Sequence, residues 1–226
     1  MNLTGILAAS TRTVLLVEGA SDRAAVETLA DRLDLPLSRL GVQVVAMGGV
    51  TNLGHHLAAL GGFPHDPAAH DPATHTATSP RSTAQTVVAQ EAVGVGRDVR
   101  VGGLYDVGEE RFVVNTLDRV GLRPFTATTP LTELGFFRCD RDLEDELIRA
   151  VGVDEFLDLI ATEGELRSFE RLRDQPAQRD RTITQQLHRF IGSKGGRKER
   201  YGRRLAQALP LDRVPAPLDG LLHWAV

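Results

Sequence analysis

The sequence predicts an α/β fold: a mostly parallel, four-stranded sheet flanked by helices, with a helical extension toward the C-terminus. Three observations carry that expectation. Short apolar runs alternate with amphipathic stretches as far as about Gly152, as in units whose helical crossovers make the strands parallel. Three of the four runs end in acids, and open α/β sheets bind ligands outside the carboxyl ends of their strands. Beyond Gly152 only helical spacing continues.

Thr13 to Val17 is a continuous apolar run suited to a strand buried on both faces. It ends in Glu18-Gly19-Ala20-Ser21-Asp22. Gly19 turns the backbone, Ser21 is the expected N-cap, and Asp22 falls in the first turn of a helix running to Leu33, which Leu35-Pro36 stops. Val42 to Ala46 is the second strand, followed by the Gly48-Gly49 turn and a helix from Asn52 to Leu60. Residues 63–97 read as an insertion rich in Pro, His, Ala, Thr and Ser. His65, His70 and His75 recur there at a five-residue spacing that fits neither helix nor strand, so the insertion reading is preferred to a metal site. His55 and His56 read as surface or substrate-edge residues.

Arg100 to Tyr105 is the third strand, with Asp106 at its end and then a helix rich in Glu109, Glu110, Phe112, Val113 and Leu117. Phe136 to Cys139 is the fourth, and Asp140, Asp142, Glu144, Asp145 and Glu146 crowd the next helix entry. Helices are expected at 155–163, 165–173, 183–191 and 201–209, with Gly192 to Lys198 a basic loop and a short Pro-bounded tail. The expected division is an α/β domain over residues 1–152 and a helical extension over 153–226.

Composition sets bounds. Apolar content is 42% and aromatic content 5%, so the core should be aliphatic. The single cysteine, Cys139, excludes an internal disulfide framework and a Cys-based zinc site. It fits a small buried residue in a reducing, cytoplasmic setting. Met1 to Thr11 shows no signal-peptide pattern and no apolar run reaches membrane-spanning length, so a soluble protein is expected. A formal charge of −4 argues against a uniformly basic, unspecific nucleic-acid binder. The charge is segregated: Asp140 to Glu165 holds ten acids and two arginines, whereas Arg179 to Arg204 holds nine Arg or Lys and two acids. An acidic metal site beside a basic arm gives this pattern, and so do two oppositely charged helices that pair with each other.

Acids at three strand ends point to a hard divalent cation, which needs two or three carboxylates from different elements. Glu18, Asp22, Asp106, Asp142 and Glu144 are the candidate ligands. Two cations among such groups stabilise the attacking and leaving oxygens of a phosphodiester displacement. A lysine can offset the developing charge, and Lys194 and Lys198 are the only two lysines.

These motifs resemble the TOPRIM domain, and most closely the TOPRIM portion of OLD (overcoming lysogenisation defect) family nucleases. Val17 to Asp22 is similar to the first motif, Gly103 to Asp106 to the second, Asp142 to Leu147 to the third, and Gly196-Arg197-Lys198 to the late basic segment. The resemblance spans about Thr13 to Leu209. It implies a TOPRIM-like, Rossmann-like sheet and a Mg²⁺- or Mn²⁺-dependent nuclease or nucleotidyl hydrolase acting on nucleic acid, DNA first. In that reading Glu18, Asp22, Asp106, Asp142 and Glu144 are metal ligands, Glu18 is also the general acid or base, and Lys198 is the transition-state cation. Two departures qualify it. Gly108 stands where the family has a second aspartate, leaving Glu109 or Glu110 to replace it or the second metal weakened. The alternative is then a TOPRIM-like binding or regulatory module with little turnover. The ATPase phosphate-binding motif that accompanies OLD nucleases is also absent from this sequence, so any ATPase function is expected from a separate subunit.

Overall fold

The computed structural model describes residues 7–8, 10–61, 99–122 and 129–226. Its four strands are β1 (Thr13–Val17), β2 (Val42–Ala46), β3 (Arg100–Asp106) and β4 (Phe136–Cys139), in the order β2-β1-β3-β4 and parallel throughout. β1 is central, with neighbours on both edges and every residue buried. That is why it reads as unbroken apolar sequence rather than alternation. Each fully buried Leu or Val there contributes roughly 1.5–3 kcal/mol of transfer free energy.

Helices α1 (Ala20–Arg32), α2 (Leu53–Gly61), α3 (Glu110–Arg119) and α4 (Leu143–Val151) follow the four strands in turn. α5 (Val153–Thr162), α6 (Leu166–Arg173), α7 (Ile183–Ile191), α8 (Arg197–Ala208) and α9 (Ala216–Ala225) complete the described chain. Two apolar clusters cover the two faces of the sheet. The smaller joins Val14, Leu16 and Val45 to Leu57 of α2 and Leu117 of α3. The larger runs from Leu15, Val17 and Val44 through α1 and α4 into α5 to α9, so the helices after Gly152 bury their apolar faces in the same core as the sheet. α8 lies along α1, with Gly202 against the backbone of Ser21.

The strand bounds agree with expectation, β3 gaining Asp106 at its end. Four local readings need correction. Gly19 caps α1, and Ser21 lies buried inside the first turn. Arg197 and Lys198 belong to α8, leaving the turn before it shorter than expected. The Pro-bounded tail contains α9, whose Leu218, Leu221 and Leu222 are buried and whose Trp224 covers Gly135 at the start of β4. His65, His70 and His75 lie outside the described residues. His56 is buried rather than at the surface, its Nε2 3.3 Å from the Met47 carbonyl oxygen. No helix among the described residues is long and apolar enough to cross a membrane.

Candidate metal centre

The parallel sheet brings the carboxyl ends of β1, β3 and β4 to one edge, and with them the acids that terminate those strands. Glu18 follows the last residue of β1. Gly19 then opens α1, and Asp22, three residues on, accepts the Gly19 N–H through Oδ2 at 2.7 Å. This turn seats Asp22 at 6% exposure. The neighbouring Ser21 hydroxyl donates to Glu144 Oε1 at 2.8 Å, which joins the first turn of α1 to the first turn of α4. Asp142 caps α4, its Oδ1 accepting the Asp145 N–H at 2.8 Å. Asp106 ends β3, and the 3-10 turn Val107–Glu109 that follows brings the Glu109 carboxylate back toward it.

The acids form two adjoining groups. Oxygens of Glu18, Asp106 and Glu109 lie within 4.8 Å of one another. Donor atoms of Asp142, Glu144 and His188 do the same. Asp22 lies between the groups: burial, then the Glu144 charge, pushes its pKa up to about 6 despite the opposing Gly19 hydrogen bond and Lys198. Asp106 is pushed up to about 7 by burial and by Glu109, Asp142, Glu18 and Asp22. Burial and Glu18 also raise Glu109. Asp142 behaves oppositely: burial would raise it, but hydrogen bonds from His188 and the Asp145 backbone hold it below the ordinary carboxylate range. The Lys198 ammonium stands 3.2 Å from Glu144 Oε1. Burial would lower its pKa, but Glu144 and Asp22 hold it above the ordinary lysine range.

All six expected ligand residues thus meet at one edge, with Lys198 against them. Glu109 takes the place near Glu18 that Gly108 leaves open, while Glu110 pairs outward with Arg138 at 3.3 Å. Cys139 is buried beside the acids, and burial together with Glu146 pushes its thiol up, away from nucleophilic reactivity. Tyr105 is buried in the smaller apolar cluster. His188, absent from the expected set, arrives from α7, and no short-range motif announces a residue 46 positions from its partner Asp142.

The charge segregation resolves mostly as pairing. Arg197 and Arg200 bind Glu165, Arg200 and Arg204 bind Glu163, and Arg203 binds Glu199. Arg179, Arg181, Arg189 and Lys194 are exposed and have no ion pair among the described residues.

The donor set suits a hard divalent cation. Its groups are carboxylates with oxygen donors, and their mutual repulsion, visible in the raised Asp22 and Asp106, is what a bound cation relieves.

Residues 11–66 match the family model described as the overcoming lysogenization defect protein-like TOPRIM domain. The C-terminal region of the OLD protein of Xanthomonas campestris pv. campestris superposes with a TM-score of 0.61 at 25% identity, covering 95% of this chain and 94% of that one. Over residues 11–66 the chain is similar to the OLD-like TOPRIM domain, and its fold is that of the OLD C-terminal region. The C-terminal region of the Burkholderia pseudomallei OLD protein shares the fold, with a TM-score of 0.60 at 20% identity over 95% of this chain and 97% of that one. Among curated proteins none matches. The family match covers β1, α1, β2 and α2, and so includes Glu18 and Asp22.

Proposed function

We propose that this protein is a divalent-metal-dependent phosphodiester hydrolase of nucleic acid, with DNA the first substrate class and Mg²⁺ or Mn²⁺ the cation. The observation that carries the reading is the convergence of Glu18, Asp22, Asp106, Glu109, Asp142 and Glu144 at one sheet edge, with the Lys198 ammonium against them. A divalent cation bound there polarises a phosphate and lowers the pKa of bound water.

The chain's own groups supply the rest. Glu18, at the open end of β1, holds or accepts the proton of an attacking water. Asp22 and Glu144, tied together through Ser21, keep α1 and α4 in fixed relation. Lys198 offsets negative charge developing on the phosphate. Arg179, Arg181, Arg189 and Lys194, having no internal acid to neutralise, are the groups for backbone phosphates. Arg197, Arg200 and Arg204 of α8 are occupied by Glu163 and Glu165 and serve the fold. A cytoplasmic setting completes the reading, in which the hydrolase acts alone or with a separate ATPase.

The test is cleavage of supercoiled DNA, linear DNA and RNA under Mg²⁺ and Mn²⁺ titration, with Glu18→Gln as control. Metal-dependent cleavage that the substitution abolishes is the expected result. Cleavage that survives Glu18→Gln removes Glu18 from the chemistry. Gly108, in place of an aspartate, favours a second reading: a metal- or nucleic-acid-binding module with little turnover. Metal binding without cleavage of any of the three substrates would select it.

A further inference from the structure

We propose that His188 is a positioning residue that presets the Asp142 carboxylate for metal binding, and that Arg141 fixes the imidazole tautomer that does so. The inference rests on the metal-site reading above and extends it to residues outside the acidic motifs.

His188 Nε2 lies 2.6 Å from Asp142 Oδ2, and Arg141 Nη2 lies 3.4 Å from His188 Nδ1. A guanidinium has only donors, so Nδ1 must accept, which puts the ring proton on Nε2 and directs it at Asp142. Asp142 Oδ1 is engaged separately by the Asp145 N–H. The carboxylate is therefore held at both oxygens by groups from two helices, and its rotation is blocked. Each oxygen retains a lone pair, since a carboxylate has about four acceptor sites. Glu144 is treated differently: its Oε1 receives both Ser21 and Lys198. Arg141 Nε also stands 3.8 Å from Asp142 Oδ2 and Nη1 3.8 Å from Asp145 Oδ1, so the arginine is itself fixed.

The competing role is direct ligation, because His188 shares the 4.8 Å cluster with Asp142 and Glu144. Geometry favours positioning: Nε2 cannot donate to Asp142 and offer its lone pair to a cation at once, and Nδ1 faces Arg141. Hydrogen-bonded supports of this kind are typically worth about 10–100-fold in metal affinity.

The experiment measures Mn²⁺ affinity of the full chain by calorimetry, together with the electron spin-echo spectrum of bound Mn²⁺. His188→Ala is expected to weaken binding about 10–100-fold. His188→Gln, which retains an N–H at similar reach, should recover most of the loss, and Arg141→Ala should lose part of it. The wild-type spectrum should lack the coupling of a directly bound nitrogen. Unchanged affinity in His188→Ala overturns the proposal, and so does a directly bound nitrogen. If His188→Ala does not fold by circular dichroism, Arg141→Ala decides, and wild-type affinity there overturns it. Absence of Mn²⁺ and Mg²⁺ binding by the wild type is a different result: it removes the metal-site reading itself.

Discussion

Arg197 and Glu165, far apart in sequence, form a two-pronged ion pair, with Nη2 to Oε1 at 3.0 Å and Nε to Oε2 at 3.2 Å. The arginine side chain is 5% exposed and the carboxylate 14%. Further Arg197 bonds reach the Phe190 carbonyl oxygen and the Ser193 hydroxyl, and its guanidinium sits 4.0 Å from the centre of the Phe190 ring. Arg200 and the Tyr201 hydroxyl also donate to Glu165. The pair thereby ties the first turn of α8 to α6 and α7, and Lys198 is the next residue.

Glu165→Ala leaves Arg197 charged, buried and unpaired. Breaking a buried pair from one side costs about 3–5 kcal/mol, and that loss is the expected outcome in urea unfolding. Arg197→Lys should fall between the two, because an ammonium cannot make the forked contact. A loss within about 0.5 kcal/mol in Glu165→Ala, the range of ordinary surface substitutions, would mean the network is not structural.

The contrast between Arg197 and the strands explains what the sequence made legible. β1 could be bounded to the residue because burial on both faces produces an unbroken apolar run, a local signal, while the edge strands β2 and β4 were legible from mainly apolar runs interrupted by Gln43 and by exposed Arg138. Glu18, Asp106 and Asp142 were legible for the same reason: parallel strands end at one edge, so acids following them must meet. Arg197 gave no such signal. An arginine in a Gly-rich basic stretch reads as solvated, and only the distant Glu165 makes its burial affordable. His188 depends likewise on a helix packing that spacing does not encode. α9 was hidden by flanking prolines, which mark its entry rather than exclude it.

Gly108→Asp tests the departure in the second motif. A Cβ built at Gly108 meets nothing within 4 Å, and the residue is exposed, so the substitution should leave unfolding unchanged within about 0.5 kcal/mol. It adds a carboxylate between Asp106 and Glu109. The expected result is tighter Mn²⁺ binding by calorimetry. Equal or weaker binding would mean that Glu109 already completes the group or that the added charge only repels.

Gly202→Ala probes the contact that holds α8 on α1. Its Cβ would fall 2.8 Å from the Ser21 carbonyl oxygen, a backbone atom with little room to yield. Overpacking of this kind costs about 1–3 kcal/mol. Because Ser21 also donates to Glu144, the same substitution should weaken Mn²⁺ binding more than Gly192→Ala, where the added methyl meets only the Arg189 carbonyl oxygen at 4.0 Å. Equal stability of the two variants would contradict the tight approach.

The metal-free protein should lose stability as pH rises from about 5 to about 8. Asp22 and Asp106 have folded pKa values of about 6 and about 7, above the ordinary 3.8. The folded state therefore holds protons that the unfolded state has released. That contribution is fully present below the unfolded value and disappears as pH passes through 6 and 7. The shift at buried Asp22 alone corresponds to roughly 3 kcal/mol, at 1.36 kcal/mol per unit. His56, whose ring burial lowers its pKa, acts in the opposite sense below about its ordinary 6.5. Asp142 and Glu165, both held low, lose their contribution only as pH falls through the acid range. Added Mg²⁺ should abolish the decline between pH 6 and 8, because it binds the ionised carboxylates of the folded state alone. Scanning calorimetry at pH 5, 6, 7 and 8, with and without Mg²⁺, reads both effects. A metal-free Tm that rises across this range would show that Asp22 and Asp106 are ionised throughout and that the acids do not crowd one another.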